Sequence, residues 1–175
     1  MDHQVEVVAL LVSPLHVYEG RPQDGPQGEP LDGARDHVEV RARLGLVGDR
    51  YFGRPAHRRA AVTVFAAESL DAITRELGLA EVPNPLLPRR NIVLRGYPVD
   101  ELAAGLLTAG RVFSLDSGDG PVRFQAHRPA NPCGWMNVVL APGAHNALRG
   151  RGGVRCEPLD DGVLRVGPAV LRVEG

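Results

Sequence analysis

Short runs of β-branched and aliphatic residues, each closed by glycine, proline or an aspartate-rich turn, recur along this chain and commit most of it to sheet. They cover Val5–Val12, Ala61–Phe65, Ile92–Leu94, Gly110–Leu115, Val122–Ala126, Val154–Leu159, Val163–Val166 and Ala169–Val173. Between Val38 and Leu44, apolar residues alternate with Glu39, Arg41 and Arg43, the period of a strand with one wet face. Asp116–Gly120 has the composition of a tight turn, so Gly110–Leu115 and Val122–Ala126 read as a hairpin. The last three runs, with Asp160–Asp161–Gly162 between two of them, read as a meander.

Helical signals are few. Leu70, Ile73 and Leu77 share one helical face, and Gly78 offers a C-terminal stop. Val138–Leu140 and Ala144–Leu148 are long enough only for helical turns. Tyr18–Gly33, interrupted by Pro22, Pro26 and Pro30, reads as a long irregular surface loop with room for partial disorder. The expected fold is therefore mainly β and barrel-like with a few short helices, in one domain over residues 1–175.

Composition narrows the chemistry. All 20 basic residues are arginine, which removes a lysine Schiff base, a lysine nucleophile and a P-loop lysine. Anion binding then falls to guanidinium forks and backbone amides. A formal charge of −1 gives no general attraction to nucleic acid or anionic membrane, and no apolar run is long enough for a spanning helix. The N-terminus, Met1–Asp2–His3, lacks the basic and apolar regions of a signal peptide, so the expected location is the cytoplasm. Cys133 and Cys156 are too few for a disulfide scaffold, although a single bridge between them stays open.

Cys133 stands in Pro129–Ala130–Asn131–Pro132–Cys133–Gly134, where two prolines break regular structure and a glycine permits close approach. That context places a thiol on a loop, where it can act as nucleophile or soft metal ligand. The competing reading is a small buried hydrophobe, which is also the reading for Cys156 between Val154 and Leu159.

Gly45–Leu46–Val47–Gly48–Asp49–Arg50, Arg89–Arg90–Asn91 running into Ile92–Gly96, Pro132–Cys133, Gly152–Gly153, Gly162 and Val166–Gly167 occur in an order that resembles the MOSC domain, named for the C-terminal domain of molybdenum cofactor sulfurases. The resemblance runs from about Val5 to Val173 and implies a β-barrel of the pyruvate-kinase barrel-like type. It further implies a protein that binds molybdenum cofactor (molybdopterin) or carries sulfur for it, with Cys133 as metal ligand or persulfide site. Arg90 and Asn91 match the family's Arg-Asn pair, and Arg50 follows its Gly-Asp pair. Arg149 and Arg151, flanking a glycine-rich turn, are further candidates for the cofactor's phosphate, and Asp49 for orienting an arginine or backbone.

One departure is local: His57 is followed by Arg58–Arg59, where some standalone members have two glycines, so anion contact there would use side chains. The chain also lacks the aminotransferase-like domain of larger members, so desulfuration would need a sulfur donor partner. Reduction of N-oxygenated substrates, as in relatives of the mitochondrial amidoxime-reducing component, would need a redox partner. A cofactor-free thiol enzyme with His127 or His145 activating Cys133, and a binding module without chemistry, are the alternatives from other classes.

Overall fold

The computed structural model describes residues 1–175. Its strands are β1 (Asp2–Leu11), β2 (Ala34–Arg35), β3 (His37–Arg41), β4 (Gly45–Leu46), β5 (Val62–Ala66), β6 (Ile92–Arg95), β7 (Val112–Asp116), β8 (Val122–Pro129), β9 (Val154–Pro158), β10 (Gly162–Arg165) and β11 (Gly167–Val173). The helices are α1 (Ala67–Leu77), α2 (Trp135–Val139) and α3 (Ala144–Ala147). Seven strands of an eight-stranded sheet run in the order β11-β7-β8-β9-β5-β6-β1, with β2 added at the end of β1, and pairing of β1 with β11 closes the seven into the expected barrel. No helix is long and apolar enough to cross a membrane.

Every neighbouring pair in the barrel is antiparallel except β5 and β6. A parallel pair needs a crossover, and α1 supplies it. The crossover explains why β5 is buried throughout: Val62, Val64 and Ala66 join the barrel interior, while Phe65 faces outward under α1 with Leu70 and Ile73. β6 divides in the same way, with Ile92 and Leu94 inside and Val93 outside. α1 ends at Gly78 in the left-handed conformation, φ 63°, as its sequence predicts. The outer core continues to α2 and α3 through Trp135, Met136, Ala144 and Leu148.

Three expectations change. The strand over Val38–Leu44 stops at Arg41, because Arg43 adopts φ 64° and turns the chain so that β4 pairs back on β3. The C-terminal meander is absent: β10 leaves the barrel to pair with β3, while β9 and β11 pair with strands distant in sequence. The Tyr18–Gly33 segment is a tied-down loop, with a short 3-10 turn at Pro22–Asp24 and Gln27 N–H donating to the Val17 carbonyl at 2.8 Å. The β7–β8 hairpin forms as read. No bridge joins the cysteines, since Cys156 is buried and Cys133 exposed.

Candidate functional site

The parity that sends Val62 and Val64 into the barrel sends Thr63 to its outer surface, and the register sets Thr63 opposite Arg155 of β9. Around this pair lies a cavity of about 200 Å³, bounded by the end of β1, by Asp49–Tyr51, by Pro88–Asn91 and by the segment carrying Cys133. Cys133 stands in the turn before α2, where its carbonyl accepts the Met136 N–H at 3.0 Å. Just beyond, Trp135 stacks on Tyr18, ring centroids 5.3 Å apart, and walls one side.

Asn91 is a rivet. Its side-chain NH₂ donates to the Leu11 carbonyl at 3.0 Å and to Asp49 Oδ1 at 3.3 Å, and its oxygen accepts from Thr63 N–H at 2.9 Å and Thr63 Oγ1 at 3.1 Å. That uses both donors and both lone pairs, so Asn91 lines the cavity with no amide function left for a ligand. Asp49 is similarly occupied, accepting the backbone N–H groups of Ser13 and Tyr51, each at 3.3 Å. Burial raises its carboxyl above the usual range against the pull of those donors.

Arg90 clamps two segments. Its Nε donates to the Gly152 carbonyl at 3.1 Å and its Nη2 to the Ala130 carbonyl at 3.2 Å, so it fixes the chain two residues before Pro132–Cys133. Gly152 is glycine for steric reasons, because a Cβ there would stand 2.2 Å from the Ala130 carbonyl oxygen. Asp100, whose Oδ1 accepts the Gly153 N–H at 2.7 Å, holds the same turn. Arg90 has no carboxylate partner, and its Nη1 makes no hydrogen bond within the chain. Burial, reinforced by Arg155, pushes its guanidinium down to about 10, still cationic at neutral pH.

Arg89 adopts φ 54° and reaches back to the loop, its Nη1 donating to the Pro30 carbonyl at 2.7 Å and the Asp32 carbonyl at 2.9 Å. Its Nε and Nη2 are buried with no hydrogen-bond partner. Unpartnered donors on a buried cation are costly. Arg155 is half-buried without a hydrogen bond or salt bridge, its pKa lowered by burial and then by Arg128. Arg50 donates to the Leu15 carbonyl at 3.2 Å and to the Tyr51 hydroxyl at 3.3 Å. Four guanidinium groups thus meet one carboxylate, that of Asp49, around the cavity.

Of the residues singled out in the sequence, Cys133, Arg50, Arg90 and Asn91 converge here although they are far apart in the chain. Arg149 and Arg151 line none of this cavity; Arg149 is exposed, and Arg151 pairs with Glu76 of α1 at 3.1 Å. His127 lies elsewhere, 3.6 Å from Glu157, and His145 sits on α3 outside the lining. Sequence reasoning missed Arg89, Arg155, His16 and Tyr18. The alternation of Val154, Arg155 and Cys156 in β9 was a signal for Arg155, since it sets the arginine on the face opposite two core residues.

Comparisons with known proteins agree with this architecture. A family model described as MOSC domain matches residues 41–171. The YuaD protein of Bacillus subtilis has a similar structure, with TM-score 0.72 and 15% identity over 100% of this chain and 98% of that one. YiiM of Geobacillus stearothermophilus gives TM-score 0.61 at 16% identity, over 96% of this chain and 75% of that one. YiiM of Escherichia coli gives 0.59 at 16%, over 100% and 70%. No curated protein sequence matches the chain.

Proposed function

This chain belongs to the MOSC domain family, and from that premise we propose that it binds molybdenum cofactor at the Cys133 cavity, with the Cys133 thiolate as the protein's ligand to the metal. The observation that carries this reading is the meeting of an exposed thiol with four arginines that have no carboxylate partner. The free Nη1 of Arg90 and the unpartnered guanidinium of Arg155 suit the phosphate such a cofactor bears. No three His, Cys, Asp or Glu side chains cluster as a metal site, so the remaining ligands belong to the pterin dithiolene. The cavity alone is small for the whole group. It opens past His16, Arg50 and Tyr51 into a shallower recess of about 310 Å³, and the two together give ligand-sized space.

When bound, the cofactor supplies two-electron chemistry suited to N-oxygenated substrates. The chain's own residues hold and shield it. Arg90 fixes the Cys133 segment to Gly152, and Arg89 ties the Pro30–Asp32 stretch of the loop to the cavity wall. Tyr18 donates to the Leu87 carbonyl at 2.5 Å, and burial pushes its phenol up to about 12, so the Tyr18–Trp135 wall stays neutral. His16 is lowered by burial and then by Arg50, so at neutral pH its imidazole is unprotonated and able to accept a proton. A redox partner protein would complete a catalytic cycle.

The exposure of Cys133 favours a second reading, that it carries sulfur as a persulfide delivered by a donor protein. Molybdenum content of wild type and Cys133→Ala, purified from a cofactor-competent host, tests the first reading. The expected result is metal in wild type only, with stability changed by less than about 1 kcal/mol because a loop thiol contributes little packing. Equal metal in both proteins sinks the ligand role. Mass spectrometry after incubation with a sulfur donor tests the second, through one added sulfur on Cys133.

A further inference from the structure

The Arg58–Arg59 pair belongs to a feature that the Cys133 cavity does not use. The turn Pro55–Ala60, with Ala104, His127 and Arg128, encloses a recess of about 530 Å³. Three guanidinium groups line it, those of Arg58, Arg59 and Arg128, together with His57. One carboxylate touches them: Glu157 lies 3.3 Å from Arg58 Nε and 3.6 Å from His127 Nε2. Arg59 and Arg128 have no salt bridge or hydrogen bond, and His127 Nε2 is buried without a hydrogen bond.

A third recess lies between this one and the Cys133 cavity. The shallow recess between them shares His16, Arg50 and Tyr51 with the cavity and His57 with the arginine recess. Along the way the rings of Tyr51 and His57 lie 4.8 Å apart, and Arg50 sits over Tyr51 at 4.7 Å from its centroid. Cationic side chains with an aromatic midpoint therefore line three adjacent recesses between Cys133 and Arg128.

We propose that the recess lined by Arg58, Arg59 and Arg128 is a second phosphoryl-binding site. A phosphoryl group carries several oxygens that can engage more than one guanidinium fork at once, which suits three converging arginines and a deficit of carboxylates. The site stands on its own residues, whether or not Cys133 ligates a metal. Its phosphate belongs either to a separate phosphorylated molecule or to the far end of one extended ligand whose other phosphate lies at Arg90.

Calorimetric titration of the full chain with inorganic phosphate at low ionic strength tests the site, read together with fluorescence of Trp135. That residue is the single tryptophan and lines the Cys133 cavity alone of the two. Wild type is expected to bind two phosphates. R59Q/R128Q should lose one, weakened at least about tenfold, while the Trp135 response persists. Arg90→Gln, or Arg50→Gln if the former does not fold, should lose the Trp135 response and keep the other phosphate.

Two phosphates retained by R59Q/R128Q, or one phosphate in wild type that this variant still binds, overturns the proposal. One phosphate in wild type that R59Q/R128Q loses upholds it and removes the reading of the Cys133 cavity instead. Tripolyphosphate separates the two sources. Binding at one per chain, weakened by variants of either site, indicates an extended ligand, and binding at two per chain indicates separate molecules.

Discussion

Arg95, Arg123, Arg165 and Arg172 each lie against an aspartate, at 2.6, 3.0, 2.5 and 2.6 Å, whereas Arg50, Arg89, Arg90 and Arg155 lie against none. The first group sits on exposed strands and turns, where water screens both partners and the pair contributes little. The second sits in a partly desolvated cavity, where each charge is held by carbonyl or hydroxyl oxygens or by nothing. In a chain without lysine every cation is permanent at working pH, so a carboxylate partner is what separates a structural arginine from one kept open for a ligand.

The comparison breaks first at Arg90. Arg90→Gln removes charge-assisted donors from the cavity and should weaken phosphate binding roughly 10- to 100-fold, from about 1.5–3 kcal/mol per such interaction. Titration of both proteins under one salt condition measures it, and unchanged affinity would return Arg90 to the structural group. Arg155→Gln should show the opposite sign in stability. It relieves a half-buried cation facing Arg128 and Arg50, so the ligand-free protein gains about 0.5–1 kcal/mol in denaturant melts while anion binding weakens.

At the strand surface, Arg95→Ala removes the Asp71 partner and should lose only about 0.2–1 kcal/mol, an effect erased by high salt. A loss that persists in high salt would mean that the pair acts through packing.

The smallest effect expected is in pH dependence. Burial lowers both His16 and His127 below the ordinary 6.5, with Arg50 and Arg59 acting in the same direction. The unfolded chain therefore takes up protons first as pH falls, and their contribution, present above 6.5, is lost on acidification toward the folded-state values. Melting temperatures between about pH 7.5 and 5.5 should fall less steeply in H16Q/H127Q than in wild type. Identical slopes would assign the acid sensitivity to other groups.

Much of the barrel was legible because its strands carry their own period: Phe65 and Val93 read as strand residues whichever face they occupy. The pairing of β10 with β3 was not, since a register between segments so far apart depends on which edges are left open after the barrel closes. Cys133, Arg50 and Arg90, which line one cavity, were singled out because they stand in short motifs. Arg155 and Arg89 depend on strand parity and on a positive φ that no local pattern announces. Arg151 stands outside the cavity for a physical reason: a glycine-rich turn signals exposed amides but says nothing about Glu76, which arrives from a helix.

The closure of β1 on β11 carries a consequence for how the molecule is made. The Asp2–Arg172 contact spans 170 positions of sequence, and β1 with β6, β3 with β10, β5 with β9 and β7 with β11 likewise join strands that are not consecutive. Loop-closure entropy must therefore be met before the largest non-local contacts form, which places the protein among slow-folding topologies. During synthesis the seam stays open until the final strand has left the ribosome. Until then the free edges of β1 and β7 present unpaired backbone that another nascent chain could template, so crowded expression is the condition under which this fold is most exposed to misassembly.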